Sequence, residues 1–228
     1  MKKNYMISGH LLLIGSIIIL INACAPAYVP NTVNTPMLSN KGELQASLNS
    51  GISGFDPQLS YAITDHIGVM LNGSFANETS DSSDDYHKHQ FVEAGGGYYT
   101  KIGKIGRFES YGGFGLGNTQ GEYESTLWSS YANAQYFRIF VQPSIGMATS
   151  YFDGSFATRF VIVSMTQNPN KSTGYFLEPV LTFKLGYKYV KLVSQFGLSF
   201  PATEDIAFNY QPFMFSVGLH AYLWRKFD

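Results

Sequence analysis

The stretch Phe213-Met214-Phe215-Ser216-Val217-Gly218-Leu219-His220-Ala221-Tyr222-Leu223-Trp224 alternates residue by residue between two characters. Phe213, Phe215, Val217, Leu219, Ala221 and Leu223 fall on one face, and Met214, Ser216, Gly218, His220, Tyr222 and Trp224 on the other. Successive side chains of an extended chain point to opposite sides, so period two marks a strand lying between two environments. Working backward, the pattern recurs at about 190–201, 176–187, 151–166, 135–149, 106–118, 90–102, 67–77, 55–64 and 43–50, which makes ten strands, an even number. No segment beyond residue 23 carries helical periodicity over a useful length.

Alternation by itself leaves the environment open. A soluble sandwich or a lipocalin-like binder also has one apolar face, turned inward onto a core. Three features favour an all-β fold over residues 41–228, a closed up-and-down antiparallel transmembrane β-barrel of about ten strands with its apolar face toward lipid. Most segments reach the ~9–11 residues a tilted strand needs to cross a bilayer, whereas soluble strands run nearer ~5–6. The other face is rich in small residues, among them Gly95, Gly97, Gly113, Gly115 and Gly117. The connections alternate as well. Thr64-Asp65-His66, Gly103-Lys104-Ile105, Thr149-Ser150 and Lys188-Tyr189 are tight joins, and long polar loops are expected at about 78–89, 119–134, 167–175 and 202–212. Short periplasmic turns opposite longer external loops are the wiring of outer-membrane barrels. Near the tight joins, Tyr98, Tyr99, Tyr187, Tyr189, Tyr222 and Trp224 are expected to form an interfacial girdle, bordered by Lys101, Lys104, Arg107, Lys188, Arg225 and Lys226. Pro57, Pro143 and Pro179 fall inside strands and each deletes a ladder donor, so these sites should carry bulges or local breaks. A bulge would reverse the facing of every residue beyond it.

The N-terminus points to export. Lys2 and Lys3 precede an apolar body, Leu11 to Leu20, and small residues lead to Cys24, the only cysteine of the chain. That is the layout of a secretory signal over residues 1–23. The run Ile21-Asn22-Ala23-Cys24 resembles a bacterial lipobox, which implies acylation of the Cys24 thiol; a plain signal peptide with a chance cysteine is the alternative. The apolar run falls short of the ~20 residues of a spanning helix. Residues 24–40, with Pro26, Pro30 and Pro36, read as a lipidated tether. Charged residues make up only 14%, against about 25% in soluble domains. The formal net charge of -1 argues against a nucleic-acid partner.

Taken together, residues 24–228 resemble the outer-membrane β-barrel lipoproteins of Gram-negative bacteria, with Ile21-Asn22-Ala23-Cys24 the sharpest motif. The final strand is similar to a barrel-assembly signal in Ser216 and Gly218, and departs from it because Ala221 and Leu223 are not aromatic. The resemblance implies outer-membrane location, outer-membrane lipid and an outer-membrane protein complex as partners, palmitate-type acylation at Cys24, and no diffusible cofactor. Acidic residues after the lipidated cysteine direct surface export in some lineages. Ala25-Pro26-Ala27-Tyr28 offers none, so the implied tether lies on the periplasmic side.

The candidate site is the inward face. Glu43, Glu93, Glu109, Asp153 and Glu178 there nearly balance Arg138, Arg159, Lys184 and Lys191, with His220 among them. Gln45, Gln58, Asn72, Tyr111, Gln142 and Gln195 share that face. Ten strands enclose a narrow interior, since wide aqueous pores take roughly 16–18 strands. Charges in so narrow a space should pair, because an isolated charge out of water is costly. The expected state is a lumen closed by ion pairs, with a narrow channel as the alternative. His220 with Ser216 is the one constellation with nucleophilic potential, the pairing that outer-membrane lipid hydrolases use; it needs hydrogen-bond reach and a third, orienting group. No enzyme activity is expected. His87 and His89 have a spacing open to a transition metal, but an acid-rich external loop is more simply solvated, and no metal site is expected. The glycines from Gly112 to Gly117 lack the helix start of a phosphate cradle.

Overall fold

A computed structural model of the chain describes residues 26–79, 85–124, 129–203 and 206–226. The expected signal segment and Cys24 lie outside the described residues. Eleven strands follow one another: β1 Leu44–Gly51, β2 Gly54–Ala62, β3 Ile67–Thr79, β4 Tyr86–Ile102, β5 Gly106–Glu124, β6 Ser129–Ala148, β7 Phe152–Gln167, β8 Asn170–Tyr187, β9 Val190–Leu198, β10 Phe200–Pro201 and β11 Phe213–Leu223. There is no helix among the described residues. Consecutive long strands pair antiparallel, and β11 closes the sheet by pairing with both β9 and β1. The short β10 continues β9 past Ser199: Phe200 stands opposite Leu177 in the same register that sets Gly197 opposite Val180. The architecture is therefore a closed antiparallel barrel with ten strand positions.

The prolines interrupt the ladder without shifting it. Beside Pro57, β2–β3 pairing lapses between Phe55↔Phe75 and Gln58↔Asn72 and resumes in the same register. Beside Pro143, β6–β7 pairing lapses between Val141↔Phe160 and Ser144↔Ala157, again in register. The break at Ser199 faces the Pro179 region in the same way. A missing N–H costs one bond and does not require an extra residue, so facing is preserved along every strand. All sixteen residues expected to face inward are buried.

Several expectations need correction. The long loops are largely strand: β4 begins at Tyr86, β5 runs to Glu124, β6 starts at Ser129 and β8 at Asn170. Hairpins continue past the apolar zone with polar residues on both faces, where no contrast of character signals a strand. Tyr99 and Tyr222 are buried inside, and only Tyr98, Tyr187, Tyr189 and Trp224 of the expected girdle are exposed. Adjacent residues face opposite ways, so Tyr98 and Tyr99 cannot both face outward. Trp224 leaves the inner face because β11 ends at Leu223 and its own φ is 63°. Arg107 and Arg225 turn inward and are buried rather than reaching for water at the rim.

The largest difference concerns the segment expected as a tether. Residues 27–39 are buried, and they run through the barrel interior. Their side chains and backbone touch β2, β3, β5, β6, β7, β8 and β9. The barrel is filled by its own N-terminal segment.

On the outer wall, register aligns side chains into levels. Leu71, Ala94, Phe114, Ile139, Ile162 and Tyr175 stand at one level. The next level toward the long connections holds Gly73, Val92, Leu116, Phe137 and Ser164. Above these come Phe75, Gln90, Asn118, Gln135 and Thr166, then Asn77, Lys88, Gln120 and Asn133. Apart from Phe75, the wall changes from mostly apolar to polar, with side-chain amides at Gln90, Asn118 and Gln135, from one level to the next.

Candidate functional site

The lumen is where the polar chemistry of this chain is concentrated. Every buried charged side chain among the described residues belongs to it: Glu43, Asp56, Glu93, Glu109, Asp153 and Glu178 against Arg107, Arg138, Arg159, Lys184, Lys191 and Arg225. Six acids meet six bases. Asp56, Arg107 and Arg225 extend the expected set; Asp56 shares the inner face of β2 with Gln58 and Ser60 by the same period of two.

Four ion pairs organise the charges. Arg138 on β6 pairs with Glu93 on β4, across the intervening β5, its Nε 3.1 Å from Oε2. Arg159 Nε donates to Glu178 Oε2 at 2.7 Å, and Lys191 Nζ to Asp153 Oδ1 at 2.7 Å. Arg225 Nε lies 3.4 Å from Glu43 Oε1. Tyr222 donates its hydroxyl to the second oxygen of Asp153. Among the described residues, Glu109 has no arginine or lysine partner within an ion-pair distance; its Oε2 accepts the Leu38 N–H at 3.4 Å. Lys184 Nζ donates to the Thr35 carbonyl at 2.9 Å.

These groups also grip the N-terminal segment. An extended chain inside a closed barrel has no strand edge to pair with, so its backbone groups must be satisfied by side chains. Arg138 Nη2 and Arg159 Nη1 converge on Asn31 Oδ1 at 2.7 and 2.9 Å, and Arg159 Nη2 reaches the Asn31 carbonyl at 3.2 Å. The Thr32 N–H donates to Asp56 Oδ2 at 2.7 Å, while Gln58 Nε2 donates to the Thr32 carbonyl at 2.7 Å. Gln195 accepts from the Val33 N–H at 2.9 Å and donates to the Val33 carbonyl, so one side-chain amide replaces a strand neighbour. Gln142 Nε2 holds the Asn34 carbonyl at 2.8 Å, and Asn34 Nδ2 donates to Asn72 Oδ1 at 2.8 Å. Arg225 Nη2 takes the Met37 carbonyl at 2.8 Å, and Glu43 accepts the Ser39 N–H at 2.9 Å. Pro30 and Pro36 bring no N–H that would need a partner.

An aromatic cap covers one end of this segment. Tyr28 donates its hydroxyl to Glu178 Oε1 at 2.8 Å and packs on Phe176, ring centroids 4.9 Å apart. Tyr210 and Phe208 meet the same Phe176 ring at 5.2 and 6.1 Å. Phe91 stacks on Tyr136 and lies 4.2 Å under the Arg138 guanidinium. The inner face of β5 is glycine here for a steric reason: a Cβ on Gly115 would sit 2.4 Å from the Phe91 ring, and one on Gly117 2.6 Å from the Tyr136 ring.

The other candidate groups do not assemble. Ser216 and His220 stand four residues apart on β11, about 13 Å of strand rise. His220 Nε2 sits 3.0 Å from Gln45 Oε1 and 3.5 Å from Lys184 Nζ. His87 and His89 lie on β4 rather than in a loop, and their ring nitrogens bond each other at 2.9 Å, with Ser74 Oγ 3.0 Å from His89 Nε2. Among the described residues, no group of three His, Cys, Asp or Glu side chains is placed to hold a metal ion. Of the expected lumen network, Glu93 joins Arg138, Arg159 joins Glu178 and Lys191 joins Asp153. Cys24 lies outside the described residues. No protein-family model and no curated protein matches the chain.

Proposed function

We propose that this protein is an integral outer-membrane β-barrel, lipidated at Cys24, that serves a structural, binding or assembly-subunit role with its lumen sealed by its own N-terminal segment. The observation that carries the reading is the inverted polarity of the fold. Twelve charged side chains are buried inside, and forty large apolar or aromatic side chains among the described residues are exposed outside. A soluble barrel such as a lipocalin would turn that face inward; monomeric soluble proteins rarely expose apolar patches beyond a few hundred Å². The height of the belt agrees. Val92 to Ile102 is ten residues of rise, which at ~3.4 Å per residue and a tilt of ~40° spans about 26 Å, close to the apolar band of an outer-membrane barrel. The amide level of Gln90, Asn118 and Gln135 then marks the upper margin.

The sealed lumen argues for a role other than conduction. Two outcomes test the reading together. The Cys24→Ala protein should still require detergent for extraction, because the belt and not the lipid holds it. The unmodified protein should carry little steady current in a planar bilayer. A folded Cys24→Ala protein in the soluble periplasm would refute the membrane assignment, and a large stable conductance would refute the seal.

A further inference from the structure

The N-terminal segment has a direction through the barrel. At one end, the backbone of Tyr28 pairs in parallel with Tyr210. Ala27 and Tyr28 N–H groups both donate to the Asn209 carbonyl, at 2.9 and 3.1 Å, and the Gln211 N–H returns a bond to the Tyr28 carbonyl at 2.9 Å. Residues 209–211 belong to the long connection between β10 and β11. At the other end, the Lys41 N–H donates to Asp65 Oδ1 at 2.9 Å in the tight β2–β3 turn, and the Lys226 N–H donates to Asn40 Oδ1 at 3.2 Å. The chain therefore enters at the mouth formed by the long connections and leaves at the mouth formed by the tight turns.

We infer that the lipid on Cys24 is presented at the external mouth and sits in the outer leaflet, opposite to a periplasmic tether. The inference rests on the outer-membrane reading above. Cys24 precedes Pro26 by two residues, and two residues of extended chain reach about 7 Å. The inner leaflet lies across an apolar belt about 25 Å tall, beyond that reach. The wall beside the exit also suits acyl chains. Tyr175, Leu177 and Phe200 face outward at the β8–β10 seam, and the Ala202 N–H bonds the Tyr175 carbonyl at 2.8 Å directly below the connection that holds Tyr28. Thirteen residues from Tyr28 to Asn40 are held by the side chains described above, so the segment cannot slide back without breaking those bonds. The barrel closes around a segment that already carries its acyl group, and the lipid reaches the surface as the barrel assembles, without an acidic export signal.

Single cysteines test this on living cells, since an acylated Cys24 leaves no free thiol in the parent chain. Ala25→Cys, Lys171→Cys at the external end and Lys104→Cys in a tight turn are each treated with a membrane-impermeant maleimide. Ala25→Cys and Lys171→Cys should label on intact cells, and Lys104→Cys only after the outer membrane is permeabilised. If Ala25→Cys behaves like Lys104→Cys while Lys171→Cys labels, the anchor side is wrong and the membrane reading stands. If Lys171→Cys and Lys104→Cys behave alike, the membrane reading itself fails. Labelling of the parent chain would mean an unacylated Cys24 and would overturn the lipid part. Lys104 and Lys171 are exposed, and the heat-dependent gel mobility of each variant reports separately that its barrel has closed.

Discussion

Removing the charge of Arg159 asks whether the lumen is dry. Arg159 donates to Glu178 at 2.7 Å and to Asn31 at 2.9 and 3.2 Å, and both partners of the ion pair are buried. In Arg159→Met the volume is largely kept, so the change isolates the charge. Glu178 would retain two neutral donors, the Tyr28 hydroxyl at 2.8 Å and the Ser199 hydroxyl at 3.2 Å. The nearest other guanidinium, Arg138, is committed to Glu93 and Asn31. Leaving a buried carboxylate uncompensated costs about 3–5 kcal/mol, and Glu178→Gln should cost a similar amount by stranding Arg159. The double variant removes both charges, and replacing a buried pair by neutral side chains is often close to neutral. It should therefore be at least ~2 kcal/mol more stable than the two single costs added together. The assay is equilibrium unfolding by urea in lipid vesicles, followed by far-ultraviolet circular dichroism, for the four proteins of the cycle. Single costs below about 1 kcal/mol with an additive double would place this pair in the range of solvent-exposed salt bridges, and would mean a wet lumen.

The outer wall and the N-terminal segment give two more tests. Leu219→Arg, midway along β11 and 55% exposed to the surroundings, should cost ~2–4 kcal/mol of insertion stability, whereas Gln120→Arg, above the apolar levels, should cost under ~1 kcal/mol. Equal tolerance of both in vesicle refolding would mean that β11 does not face lipid. Thr35→Cys with Thr182→Cys, in a Cys24→Ala background, should form a disulfide on mild oxidation, because the two hydroxyl oxygens stand 3.3 Å apart. Mass spectrometry of the closed loop reads the result, and free thiols in the folded barrel would mean that the segment is not held there.

The strand positions and their facing were legible from residues 43–224 because period two is a local property. A side chain's face depends on its parity along the strand and not on its partner. That is why Glu93, Arg138, Asp153, Arg159, Glu178 and Lys191 could be assigned inward with no knowledge of which would meet, and why in-register interruptions at Pro57, Pro143 and Pro179 left those assignments intact. The hairpin extensions beyond the belt were not legible, since strands with polar residues on both faces differ from loops only in their cross-strand bonds.

What the sequence by itself determined was the two-sided character of each strand and the near balance of charge on the inner side. Only the tertiary structure decided what fills the barrel. Residues 26–40 carry three prolines and no periodicity, so locally they resemble a linker. Their order comes from partners far along the chain, such as Gln195, 162 positions beyond Val33, and Arg138, 107 beyond Asn31. A segment without its own hydrogen-bonding pattern takes its conformation from the walls around it, and those walls exist only once the ten-position barrel has closed.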